Sequence, residues 1–335
     1  MIFCREGSPL ASRAASEQLE TGPLGTVGTL RRRLREERFE IVHAHDGRAQ
    51  TIAFRASLGL SAVRVASRLV AFPPRHPLVH RWKYSLTTHG VIALSQSVRQ
   101  VLLDAGVPDA HIEVIEPGIE IPGDLPGTPV REAARARLGF SNEHFVIGHL
   151  AAFTREKGQD VALKAALQLA KILPRARMVL AGDGPERSQT EMAELARQAS
   201  GIAQLPGFIE NLDDFYAALD VYIMPSRSEA WGLTALRAMA FGLPVIASNV
   251  GGLPEAVEHA KSGWLIPPES PEALADAIAD AASDPGRLRE FGRNARERAA
   301  HFSIQRTVER TEQYYVRLLA APGKATMEDS AQAGM

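Results

Sequence analysis

The chain has 335 residues, 45% hydrophobic and 23% charged, enough for about two folded domains and unlike the polar composition of a disordered chain. A net charge of -1 excludes a general electrostatic footprint for nucleic acid, and the single cysteine, Cys4, excludes an internal disulfide or a cysteine-based zinc site. No apolar run approaches a membrane span and residues 1–10 lack secretory-signal features, so a cytoplasmic location is expected.

Short apolar runs alternate with longer amphipathic stretches along the whole chain, the pattern of βα units in a parallel α/β sheet. In the first half, residues 1–4, 39–45, 63–67, 90–95 and 112–118 read as strands. Residues 26–38 carry apolar side chains at helical spacing, and 95–106 start on a capping serine and stop at a glycine. Residues 117–130 concentrate Pro and Gly, which break helices and strands, and mark a hinge. The alternation resumes with strands at 145–153, 176–184, 202–208, 220–226 and 243–249, and with helices at 158–173 and from Glu186 to Ala199. One more helix ends near Ala300 and another runs from Ile304 to Ala320. The expected division is a first domain at 1–122, a linker at 123–130, a second domain at 131–300, a helix at 301–321 that crosses back, and a disordered tail at 322–335.

Four segments of the second half carry chemistry: REKGQD at 155–160, LAGDGPE at 180–186, SEAWGLTALRAMAFGLPVIAS at 228–248 and GGLPE at 251–255. Lys157 precedes a glycine and an amphipathic helix, a setting for a compact cation that the backbone lets close to an anion. Gly232, Leu233 and Thr234 stand where a loop becomes a helix, so their backbone N–H groups are free to meet phosphate oxygens without a metal. Glu229, just before that turn, has a carboxylate that can accept hydrogen bonds from hydroxyl groups. In order and in context, the four segments resemble the retaining glycosyltransferases of family four, and the resemblance extends from Ile2 to Ala320.

The resemblance implies a GT-B fold of two Rossmann-like domains facing a cleft. It implies that Lys157 contacts the donor diphosphate, that Glu229 grips the donor sugar, and that Gly184, Phe208 and Ile209 lie toward the nucleotide. Gly182–Gly184 also reads as a simple tight turn, and Phe208 and Ile209 as ordinary packing residues. Two positions depart from the family pattern. Arg237 stands where a glutamate usually holds the ribose, and Ala151 where an arginine usually assists the diphosphate; Arg155 or Arg237 is the available substitute. Family members also begin with a further strand and a glycine-rich loop, so the first domain is expected to lack its first βα unit, leaving two unpaired ladders.

His43, His45 and Asp46 end a strand of the first half, and the two alternating histidines point the same way. Too few further ligands accompany them for zinc, and the resemblance places this strand end on the acceptor side; where the family often has a further histidine after the next strand, this chain presents Ser67 and Arg68, and Arg68 is expected on the same side. From Gly47 to Leu103 there is no Asp or Glu, whereas Arg48, Arg55, Arg64, Arg68, Arg75, Arg81, Lys83 and Arg99 are cationic. Leu69, Phe72, Trp82 and Tyr84 interleave with them, which suits anionic lipid headgroups or a phosphorylated, lipid-linked acceptor; a basic solvated surface is the alternative.

The expectation is a metal-independent retaining hexosyltransferase that uses a nucleotide-diphosphate sugar as co-substrate and needs no cofactor. Its acceptor would be a glycan or a lipid-linked molecule of cell-surface polysaccharide or glycolipid synthesis. The enzyme would be cytoplasmic and peripheral on the inner membrane face, with no nucleic-acid partner. The rival is a catalytically impaired or truncated sugar-nucleotide binder, which Ala151 and Arg237 favour; a nucleotide-sugar epimerase is opposed by the four motifs.

Overall fold

The computed structural model describes residues 1–73, 76–199 and 201–321. The strands are β1 (Ile2–Cys4), β2 (Thr21–Pro23), β3 (Ile41–Ala44), β4 (Val63–Arg68), β5 (Gly90–Ala93), β6 (Ile112–Val114), β7 (Phe145–Leu150), β8 (Ala176–Ala181), β9 (Ala203–Gly207), β10 (Val221–Met224), β11 (Val245–Ser248) and β12 (Gly263–Ile266). They form three parallel sheets: β1-β2, β3-β4-β5-β6 and β12-β11-β10-β7-β8-β9.

The six-stranded sheet is covered on both faces, which is why β10 and β11 are apolar without alternation and buried along their whole length. The helix Gln159–Ile172 packs on one face with the helix Pro271–Ser283, and the helix Leu233–Ala240 on the other with Pro285–Ala300. After β7 the chain moves outward to β8 and β9, then returns to the far side of β7 to lay down β10. The order therefore reverses between β7 and β10, and the crevice outside the carboxyl ends of those two strands is the natural ligand site of such a sheet.

The first half is built differently from a continuous sheet. Among the described residues β1 pairs only with β2, and β3 only with β4, so each keeps one unpaired edge. The two sheets still share a small core in which Leu30, Leu34 and Ala56 are buried with Phe3, Leu24 and Val42 against them. The strand Thr21–Pro23 escapes the sequence reading because three residues containing Gly and Pro carry no strand pattern, and β12 is also additional to the expected set. The helix Thr128–Arg137 begins inside the segment expected to be a linker, with Pro129 tolerated in its first turn. The tail at 322–335 and Arg75 lie outside the described residues.

The chain passes between the two halves twice, and the two passages are bonded to each other. Ile119 N–H donates to Phe302 O at 3.0 Å, and Ile304 N–H donates to Ile119 O at 2.9 Å. A Cβ on Gly118 would stand 2.3 Å from Ser303 O, so only glycine permits this contact. The last helix, Ile304–Ala320, then lies on the first half, where Tyr314 is buried with Val63, Val65, Ile92 and Ile115.

Candidate active site

A cavity of about 620 Å³ opens between the halves, lined by His43, His45 and Ser67 from one side and by Ala151, Lys157 and Glu229–Thr234 from the other. The sheet topology brings the second group together. Lys157 follows the carboxyl end of β7, and Glu229 follows the carboxyl end of β10. Lys157 ends a short turn whose next residue, Gly158, has φ +70° and lies so close to Pro225 that a Cβ would stand 2.0 Å from its carbonyl oxygen. The glycine thus fixes the loop of Lys157 against the segment that leads to Glu229, and Lys157 Nζ donates to Glu229 Oε2 at 2.6 Å.

Gly232 caps the helix Leu233–Ala240 in the left-handed region at φ +98°, and a Cβ there would stand 2.6 Å from Leu253. No side chain caps the helix in this position, which leaves its first N–H groups without a capping partner, and Gly232, Leu233 and Thr234 form part of the cavity wall. The glycine pair of GGLPE works beneath them: a Cβ on Gly251 would meet Glu229 O at 1.7 Å, and one on Gly252 would meet Ala230 O at 2.4 Å. These glycines support the backbone of the glutamate loop. Glu255 reaches across to the other half: its carboxylate accepts from Gln96 N–H at 2.9 Å and Ser97 N–H at 3.1 Å, capping the helix Gln96–Asp104.

On the opposite wall, His43 bridges the Tyr315 hydroxyl at 2.6 Å and the Ser67 hydroxyl at 2.8 Å. Burial, reinforced by neighbouring His45, pushes the His43 pKa down to about 3, so the ring is neutral. The His45 ring lies over it at 4.1 Å between centroids and faces the cavity. Tyr315 is a site residue that sequence reasoning missed. Its signal was the spacing of Thr307, Thr311 and Tyr315 on one face of the last helix, all three of which line the cavity.

Other expected residues are placed elsewhere. Arg68 is 3% exposed and does not line the cavity; its guanidinium donates to Phe72 O at 2.6 Å and holds the loop after β4. In this position Arg68 supports the loop and stands apart from the residues that line the cavity. Arg237 donates to Asp213 at 2.8 Å and lies over the Tyr216 ring, away from the cavity lining. Phe208 is 75% exposed, while Ile209 packs against the second-half core. Gly184 lies under the loop after β7, where a Cβ would meet Phe153 O at 2.6 Å. Ala151 lines the cavity, and among the described residues Lys157 is the one Lys or Arg in the lining. Among the described residues no group of three or more His, Cys, Asp or Glu is arranged to hold a metal ion, and no helix is long and apolar enough to cross a membrane.

Two halves of parallel βα units facing one cleft, with a cation and a helix start at the switch point of the second sheet, define the architecture of GT-B glycosyltransferases. Residues 130–298 match the family of glycosyl transferases group 1 and residues 10–121 match glycosyltransferase family 4; the chain belongs to this family. A D-inositol 3-phosphate glycosyltransferase of Corynebacterium urealyticum is 36% identical over 231 residues, covering 65% of this chain and 54% of that protein. One of Mycolicibacterium gilvum is 31% identical over 274 residues, covering 78% and 60%. The chain thus spans between half and three fifths of the length of these two relatives. Among solved structures, Anabaena HepE in complex with UDP and glucose superposes with a TM-score of 0.82 at 22% identity, over 92% of this chain and 89% of that one. A glycosyltransferase of Rickettsia africae gives 0.83 at 21%, over 94% and 89%.

Proposed function

We propose that the protein is a retaining hexosyltransferase that takes its sugar from a uridine diphosphate donor, without a metal, and passes it to a glycan or lipid-linked acceptor of cell-surface polysaccharide or glycolipid synthesis. The single observation that carries the reading is the convergence of Lys157, Glu229 and the helix start at 232–234 on one cavity wall. The choice of uridine diphosphate draws on Anabaena HepE, which was solved with UDP and glucose.

In this reading the donor diphosphate lies across the N–H groups of residues 232–234 and takes Lys157 away from Glu229. The freed carboxylate accepts hydrogen bonds from the sugar hydroxyls. Negative charge that develops on the leaving phosphate is met by Lys157 and by fixed backbone dipoles in a cleft from which water is excluded when the halves close about 117–123 and 302–304. The neutral His43, locked by Tyr315 and Ser67, presents His45 toward the acceptor. The enzyme works in the cytoplasm, peripheral on the inner membrane face.

One observation favours the rival reading of an impaired sugar-nucleotide binder. Arg237 is engaged by Asp213 and the position of Ala151 offers no charge, so among the described residues the cavity wall offers the diphosphate one Lys or Arg side chain. Titration calorimetry against UDP- and GDP-sugars decides between them, paired with detection of released UDP and the anomeric configuration of the product. Donor binding that is lost in Lys157→Ala, with turnover and a retained anomer, supports the enzyme; binding without turnover on any acceptor supports the binder. Failure of the folded chain to bind any donor removes both.

A further inference from the structure

The last helix, Ile304–Ala320, comes from the end of the chain yet builds part of the first half's wall of the cavity. It is pinned along its length. Thr307 Oγ1 donates to Glu116 O at 2.9 Å, the buried Tyr314 hydroxyl donates to His111 O at 3.3 Å, and Arg317 pairs with Glu113 at 2.9 Å. Thr307, Thr311 and Tyr315 are each four apart, so a helix fixed in this way fixes Tyr315 beside His43, with its hydroxyl 2.6 Å from Nδ1. His43 and Ser67 stand on the neighbouring strands β3 and β4, and the other ring nitrogen, Nε2, lies 2.8 Å from Ser67 Oγ.

Acid strength orders the protons along these three side chains. A phenol O–H is a stronger donor than an imidazole N–H, and an imidazole N–H is a stronger donor than an aliphatic hydroxyl. Tyr315 therefore donates to Nδ1, Nε2 carries the ring proton and donates to Ser67 Oγ, and the tautomer of His43 is set by Tyr315. Among the described residues His43 is the one hydrogen-bond partner of the Ser67 side chain, so the Ser67 hydroxyl is left to donate into the cavity that it lines.

The wall around this donor selects what it can receive. Leu69, Ile92, Leu94 and Ile115 line it, the Arg68 guanidinium is turned to Phe72 O, and among the described residues neither the first half nor the last helix adds a Lys or Arg to the lining. Burial holds His43 and His45 below the ordinary histidine pKa, so both rings are neutral at pH 7. A phosphorylated group would give up its water here without gaining a cation, since Lys157 is assigned to the donor diphosphate. A sugar or polyol ring meets both parts of the wall, its hydroxyls at Ser67 and its C–H face at the aliphatic side chains.

We propose that Tyr315 is a positioning residue that, through His43, turns the Ser67 hydroxyl toward the acceptor, and that the unit received there is an uncharged sugar or polyol ring. The inference rests on the reading of the cavity as a glycosyl-transfer site and adds to it the chemical class of the receiving unit.

Nitrogen resonances of isotope-labelled histidine report the tautomer directly, and His43→Gln identifies the His43 signals among the ten histidines. The probes are methyl α-glucoside and glycerol, with glucose 6-phosphate and glycerol 3-phosphate as charged counterparts. Each is titrated to about 50 mM into the full chain, alone and saturated with UDP. In the native chain His43 should carry its proton on Nε2, the neutral probes should shift its signals, and the phosphorylated probes should bind at least about tenfold more weakly. Tyr315→Phe should move the ring proton at least partly to Nδ1 and weaken binding of the neutral probes about fivefold or more, while UDP affinity by calorimetry stays unchanged. Ser67→Ala should weaken the same probes and leave UDP affinity alone. A proton on Nδ1 in the native chain, His43 signals that no neutral probe moves, phosphorylated probes that bind as tightly, or a Tyr315→Phe variant with tautomer and affinity unchanged would each overturn the inference. Failure of the chain to bind UDP counts against the proposed function instead, and is read separately from the His43 signals.

Discussion

Lys157 Nζ stands 2.6 Å from the Glu229 carboxylate, and both side chains are largely buried in the cavity wall. The two groups assigned to opposite ends of the donor neutralise each other while the cavity is free, which spares each the cost of an unpaired charge in a partly desolvated site. A donor must therefore exchange this pair for two new ones.

That exchange separates the two substitutions. Lys157→Ala removes the cation and should lower both UDP and UDP-sugar affinity at least about tenfold and any turnover about a hundredfold or more. Glu229→Gln releases the lysine, so affinity for UDP alone should hold or rise while affinity for the UDP-sugar falls. Calorimetry with both ligands checks this, and a parallel loss of the two affinities in Glu229→Gln would show that the glutamate serves only to position the lysine.

Two glycines with positive φ should respond very differently to alanine. At Gly251 the new Cβ would be 1.7 Å from Glu229 O, backbone that cannot move aside, whereas at Gly201, with φ +87°, nothing lies within 4 Å. Gly201→Ala should cost about 1 kcal/mol of conformational strain, and Gly251→Ala about 3 kcal/mol or more together with loss of donor binding. Urea denaturation of both variants measures the difference; equal costs would mean that the Glu229 loop yields freely.

The carboxylate of Glu255 caps a helix in the opposite half, so Glu255→Gln should weaken a link across the cleft. A loss of about 1 kcal/mol is expected, with a broader distance distribution between spin labels placed on the two halves. An unchanged distribution would assign the arrangement of the halves to the last helix and the bonded passages at 119 and 303.

Two buried histidines set the acid limb of stability. His149 donates from Nδ1 to Ile223 O at 2.9 Å, and burial pushes its pKa down to about 4, while that of His43 falls to about 3. The unfolded chain takes up protons near pH 6.5 and the folded one does not, so stability is full above that pH and is lost as pH falls toward 4. His149 alone accounts for on the order of 3 kcal/mol of this loss. Denaturation midpoints from pH 7 to pH 4 should flatten in His149→Asn, which keeps the donor to Ile223 and cannot take a proton; an unaltered slope would place the acid sensitivity elsewhere.

Much of the architecture was legible because periodicity is a local property. The apolar runs of β7, β10 and β11 and the amphipathic spacing of 158–173 and 304–320 each follow from a few neighbouring residues, and so do the loop-to-helix glycine at Gly232 and the lysine before Gly158. Pairing across the cleft is not local. Nothing near Tyr315 announces His43, 272 positions away; nothing near Arg237 announces Asp213; and nothing near Glu255 announces the start of the helix at Gln96. Arg68 reads as a cleft cation from its position after a strand, yet the turn of the following loop directs its guanidinium to Phe72 O.

The sequence by itself determined the parallel α/β class, the donor-side motif residues and the acid-free stretch from 47 to 103, because spacing and charge are carried by the chain wherever it goes. Only the tertiary structure decided that Lys157 meets Glu229, that the glycines of GGLPE lie beneath the glutamate loop, and that the apolar stripe of Pro77–Ser85 faces outward. Those outcomes depend on strand order and helix packing, which bring together side chains and backbone from separate segments, and the closeness of two segments is a property of the folded sheet and not of either segment alone.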